Sequence, residues 1–83
     1  MNNSSDKAIK INSNVPEFRQ TYQHFNINFF YIALAEECFW QIEDSEKTVI
    51  FKGVFDECKA FLRGLEYLRV KSQGFVDCLE IYS

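Results

Sequence analysis

Cys38, Cys58 and Cys78 stand 20 residues apart, and each follows an acidic residue. With His24, the single histidine, they supply four ligands of the kind that structural zinc takes. None of them lies in the short paired spacing that closes a zinc site, so the expectation is buried free thiols with no metal and no cofactor. The even spacing also raises the question of an internal repeat. The flanks agree only in Gly53-Val-Phe-Asp-Glu-Cys against Gly74-Phe-Val-Asp-Cys, whereas a repeat fold needs a whole structural unit to recur. His24 is the only side chain whose ordinary pKa lies near neutrality. It falls on the polar side of an expected helix, with no nucleophile elbow or oxyanion-forming glycine loop beside it. No catalytic residue is therefore expected, and the chain reads as a non-enzyme.

Charge and small residues mark two candidate surfaces. Residues 36–57 hold seven acidic groups, of which Glu43, Asp44 and Glu46 cluster where a hairpin turns. They are a candidate acidic surface, for a basic partner or in imitation of nucleic acid; a solvated hairpin tip is the simpler explanation. On the last clear helix Ala60, Gly64 and Tyr67 share a face with Arg63 beside them. Glycine inside a helix costs up to about 1 kcal/mol relative to alanine, and a small-x-x-x-small pair lets another backbone come close. That backbone could be the first helix of the same chain or a second molecule. No calcium loop of the Asp-x-Asp-x-Asp-Gly type is present.

The elements that must position these residues follow from periodicity. Residues 1–13 are polar, rich in Asn and Ser, and read as a flexible tail, although the alternation Ile9-Lys10-Ile11 would suit a short edge strand. Asn14, Pro16 and Glu17 look like a capped helix start, and Val15, Phe18, Tyr22 and Phe25 recur at helical steps. The helix should end near Phe25. Residues 28–34 are β-branched and aromatic on every side and read as a buried strand, with Phe29 and Tyr31 on one face and Phe30 and Ile32 on the other. Cys38–Glu43 and Thr48–Val54 form a hairpin across a four-residue loop. A helix capped by Asp56 should then run to about Val70, burying Phe55, Cys58, Phe61, Leu62, Leu65 and Leu68. Ser72-Gln73-Gly74 should break it, and Phe75 to Tyr82 should form a last strand.

The fold class expected is α+β: one small domain over residues 14–83, an antiparallel sheet of three to four strands with two helices on one face. The chain has 83 residues, 47 % hydrophobic, with nine Phe, four Tyr and one Trp. So many aromatics let a short chain build a core without disulfides, and they exceed what one small core readily hides. An odd cysteine count fits a reducing, cytoplasmic setting. The N-terminal Met-Asn-Asn-Ser-Ser-Asp-Lys lacks the apolar centre of a secretory leader, and no run is long enough to span a membrane. The net charge of −3 works against general nucleic-acid binding.

These features predict a cytosolic interaction or regulatory module that acts by binding a protein partner. A homodimer is expected, through Phe29, Phe30 and Tyr31 or through Ala60, Arg63, Gly64 and Tyr67. The alternative is a nucleic-acid-related role, as an acidic mimic or through Lys59, Arg63, Arg69 and Lys71.

Overall fold

The computed structural model describes the backbone of residues 8–82 and the side chains of residues 8–72. Four strands, β1 (Ile9–Asn12), β2 (Asn28–Ala33), β3 (Cys38–Glu43) and β4 (Val49–Gly53), form an antiparallel sheet in the order β1-β2-β3-β4. Helix α1 (Arg19–Phe25) lies between β1 and β2, and α2 (Phe55–Tyr82) follows β4. The expected α+β architecture, with both helices on one face of the sheet, is what the chain adopts.

Alternation along the strands sorts the sheet into two faces. Phe29 opposite Ile42, with Ile42 opposite Phe51, forms the row beneath the helices, and Tyr31 opposite Trp40 forms the next. Phe29 and Ile42 are fully buried, and Cys58 and Leu62 of α2 sit on them with no exposed surface. Aromatic pairs close the flanks: Phe51 stacks on Phe61 at 4.7 Å between centroids, and Phe55 lies 5.3 Å from Trp40 and 6.0 Å from Phe29. From α1 and the turn before it, Phe18 and Tyr22 complete the core together with Ile27.

The helix ends show which local signals the chain uses. A 3-10 turn over Pro16–Phe18 precedes α1, and no side chain caps either start. Asn14, expected as the cap, instead accepts the Phe29 N–H at 2.5 Å and donates to Asn28, so it ties this segment to β2. The stop is as read: Asn26 takes the left-handed conformation (φ 56°, ψ 50°), which asparagine tolerates, and its N–H bonds the Tyr22 carbonyl. In the β3–β4 loop Lys47 also has positive φ, and one Asp44 carboxylate oxygen accepts the N–H groups of Glu46 and Thr48. A bulge at Ile42/Glu43 shifts the β3–β4 register. At the start of α2 the capping group is Glu57, which accepts the Val54 N–H at 3.0 Å; Asp56, expected as the cap, is already helical.

Two larger corrections concern the chain ends. Residues 9–12, read as tail, form the edge strand β1 that the Ile-Lys-Ile alternation suits, paired to β2 from Ile9↔Ala33 to Asn12↔Phe30. Residues 75–82, read as a strand, continue α2, which is 28 residues long. Gly74 costs that helix about 1 kcal/mol, too little to break it when Phe75, Leu79 and Tyr82 also stand at helical steps. The fourth strand comes from the N-terminal side and not from the C-terminal end.

Helix α2 is fixed to α1 by a polar lock. Thr21, fully buried, donates its hydroxyl to Glu66, and Arg69 grips the same carboxylate through Nε at 3.1 Å and Nη2 at 2.7 Å. The Arg69 hydrogen bonds, then that of Thr21, lower the Glu66 carboxyl to about 2. A folded-state pKa below the ordinary carboxylate value means the lock stabilises the fold above about pH 4.5 and loses that contribution as pH falls toward 2. Acid titration of stability should therefore fall less steeply over that range in Glu66→Gln than in the wild type, as read by urea melts at successive pH values. Leu62→Ala, which empties the centre of the core, should cost about 2 to 5 kcal/mol in the same melts at neutral pH.

Candidate interaction surface

The outer face of the sheet, opposite the helices, carries Lys10, Phe30, Ile32, Phe39, Gln41, Glu43 and Lys52. It is largely self-satisfied. Glu43 is only 4 % exposed because Lys10 reaches across β2 to it, with Nζ at 2.7 and 2.9 Å from its two oxygens, and Gln41 donates to it. The same ammonium lies 4.4 Å from the centroid of Phe30, and Lys52 lies 4.8 Å from that of Phe39. Ile32, 5 % exposed, is hidden among these side chains. The expected acidic surface is thereby reduced. Glu43 is withdrawn into an ion pair and Asp44 is half-buried and spent on its own loop, which leaves Glu46 exposed.

The first expected interface is also divided. Phe29 is core, Phe30 is half-buried beneath Lys10, and Tyr31 is half-buried on the helix side against Trp40 at 4.6 Å. Phe29 has no surface to offer a partner. Near Tyr31, however, the helices leave part of the sheet bare: Ile9 is 60 % and Ile11 50 % exposed, beside Cys38.

The second expected interface is exposed as a unit. Ala60, Arg63, Gly64 and Tyr67 all face solvent, and a Cβ placed on Gly64 would meet nothing within 4 Å. Packing under α1 is thus not the reason for this glycine; nothing among the described residues calls for it. Among the described residues beyond Glu66 the apolar side chains are uncovered: Tyr67 is 62 %, Leu68 55 % and Val70 52 % exposed. Leu68, expected in the core, is exposed instead, on a side of α2 that neither the sheet nor α1 covers. A 28-residue helix is about 42 Å long, and the whole molecule measures 67 × 24 × 18 Å. Phe75, Leu79 and Tyr82 stand at helical steps, so periodicity carries the signal for the length of α2.

The groups considered for chemistry are dispersed. His24 is exposed on α1, edge-on to Phe25, and Cys58 lies in the core. Among the described residues no three His, Cys, Asp or Glu side chains group closely enough to hold a metal ion. The Cys78 side chain lies outside the described residues. A cleft of about 430 Å³ beside α1 is lined by Asn14, Arg19, Tyr22, Gln23 and Asn26 among others, and the Asn14 amide is already committed to β2. The cations of the alternative reading are partly engaged: Lys59 faces Glu17 at 3.8 Å and Arg69 holds Glu66. No described helix is long and apolar enough to cross a membrane.

Burial, then the neighbouring Glu57 charge, pushes the Cys58 thiol up to about 11, so it stays protonated and unreactive at neutral pH. Cys38 is exposed at the end of β3. A maleimide at pH 7.5 should label Cys38 in the native protein and Cys58 only after denaturation, as resolved by peptide mass spectrometry.

Comparison of the chain with protein families, with curated proteins and with solved structures gave no match in any of the three, which leaves the exposed face of α2 to be read on its own geometry.

Proposed function

We propose that this protein is a small interaction module that works by binding another protein chain, its own or a different one, and that it has no catalytic activity. The observation that carries this reading is the uncovered apolar run at Tyr67, Leu68 and Val70, on a helix that extends past the sheet and helix supporting it. Three neighbouring side chains of this size, each more than half exposed, place apolar surface in water at a cost of about 25 cal/mol per Å². Exposed apolar surface grouped on one stretch of helix is a feature of interaction sites. Free thiols at Cys38 and Cys58 suit a reducing compartment, and the cytoplasm is the working place proposed for it.

The nucleic-acid alternative draws less support, because the basic side of α2 spends Lys59 and Arg69 on carboxylates of its own chain. An acidic mimic would need the hairpin charges at the surface, and Glu43 is buried.

Affinity capture with the tagged 83-residue chain, followed by mass spectrometry, tests the reading. One stoichiometric protein, or untagged copies of the chain itself, should co-purify with the wild type and be lost with Leu68→Glu. Isolation of the chain alone, carrying a tightly held small molecule or metal, would instead point to an enzyme or a carrier.

A further inference from the structure

Beyond the binding role of α2, we infer that the cleft beside α1 is a second binding site, for a carboxylate joined to an amide, as in an N-acylated amino acid or dipeptide. The cleft holds about 430 Å³, within the size range of small-molecule sites. Val15 and Ile27 give it an apolar wall, and Tyr22 stands beside Val15. Tyr22 is only 7 % exposed, and its hydroxyl oxygen accepts the Val15 N–H at 3.1 Å. The hydroxyl proton has no acceptor among the described residues. Burial, ahead of the opposing Val15 hydrogen bond and the Glu17 charge, raises the Tyr22 pKa, so that proton is held at neutral pH. A buried donor is thus left over at the cleft wall, and buried donors are stable where something receives them.

The rim sets the chemistry of the receiver. Arg19 is exposed there, and among the described residues no carboxylate lies within ion-pair distance of it. Glu17 and Glu66, which border a neighbouring hollow with Arg19, face Lys59 and Arg69 instead. Although the chain has 12 Asp and Glu, none lines the cleft. A guanidinium so placed presents forked donors that match a carboxylate. One cation balances one carboxylate; a polyphosphate would leave charge unneutralised on a protein whose net charge is already −3. The amides define the rest of the ligand. The Asn28 carbonyl already accepts from Asn14, which leaves its NH2 to donate. Gln23 makes no side-chain hydrogen bond among the described residues and offers both a carbonyl and an NH2. Arg19, Tyr22 and Asn28 therefore give protons, and Gln23 can take one. A carboxylate, a carbonyl and an N–H on a small apolar unit answer that set, whereas an uncharged sugar would leave Arg19 unmatched.

NMR titration of the isotopically labelled chain with N-acetyl-alanyl-alanine, and with the same compound as its C-terminal amide, tests the inference. The acid should give saturable shifts at the side-chain signals of Arg19, Gln23 and Asn28. The uncharged amide should bind at least about tenfold more weakly, as expected for loss of a charge-assisted pair. Arg19→Gln should lose affinity for the acid by a similar factor, and Tyr22→Phe by a smaller one, with circular dichroism confirming that both variants are folded. Leu68, which does not line the cleft, is the internal control: Leu68→Glu should bind the acid as the wild type does. A longer peptide with the same C-terminal residues identifies the source, since equal or tighter binding assigns the cleft to chain ends and weaker binding to free small acids; both results support the carboxylate site. Shifts that do not saturate at millimolar acid overturn it, as do shifts centred away from the cleft, equal binding of acid and amide, or an Arg19→Gln or Tyr22→Phe variant that binds like the wild type. Each of those results leaves capture through α2 standing, and a failure of that capture leaves the cleft standing.

Discussion

The contact on which the fold depends is the seating of Cys58 and Leu62 on the Phe29–Ile42 pair. All four are fully buried, and they come from β2, β3 and α2, elements that local sequence does not bring together. Because Phe29 and Ile42 lie opposite each other in the register, their placement decides which residues of β2 and β3 face inward: a slip of one residue would exchange the two faces. Everything placed on the sheet inherits that choice. Trp40 falls beside Phe55 and Tyr31 beside Trp40, and Phe30, Phe39 and Glu43 fall on the far side.

That far side would be a problem for a sheet with helices on one face only. Large apolar groups there, Phe30, Ile32 and Phe39, meet water without a covering layer. The chain answers with long cationic side chains, whose stems cover the rings while their heads remain paired or solvated. The outer face is consequently less available to a partner than its composition suggests. Open apolar surface lies instead on α2, at the corner of Ile9 and Ile11, and along and just after β4 at Val49, Ile50 and Val54.

Local chemistry made much of this architecture readable from the sequence. The spacing of Phe18, Tyr22 and Phe25 and the stop at Asn26 defined α1, and the β-rich runs around Asp44–Lys47 defined the hairpin. The core face of α2 was legible as far as Leu65. What was hidden depended on distance or on competing periods. Glu43 looked like surface charge because its partner, Lys10, is 33 residues away, and only the sheet brings them together. Ile9-Lys10-Ile11 is too short to declare a strand until β2 is present to pair with it. Phe75 to Tyr82 satisfies both alternation and helical steps, and the preceding Gly74 tipped the reading toward a break that the helix does not make. For Ala60, Gly64 and Tyr67 the spacing left two readings open, packing under α1 or a contact with a second molecule, and only the fold shows that the face is exposed; Phe29 was claimed by the core.

The clamp from Lys10 to Glu43 skips the strand between them, so one ion pair holds three strands in register. Edge strand β1 is four residues long and all four are exposed, so it buries little of its own. Its adhesion is therefore partly electrostatic, unlike that of β2 to β3, which is hydrophobic on the helix side. Lys10 is 42 % exposed at its side chain, within reach of mobile ions, while Glu43 is not. Salt would thus act on the molecule unevenly: it would loosen the sheet at one margin and leave the centre as it is, which makes the hydrogen-bonding edge of β2 a surface whose accessibility varies with the ionic surroundings.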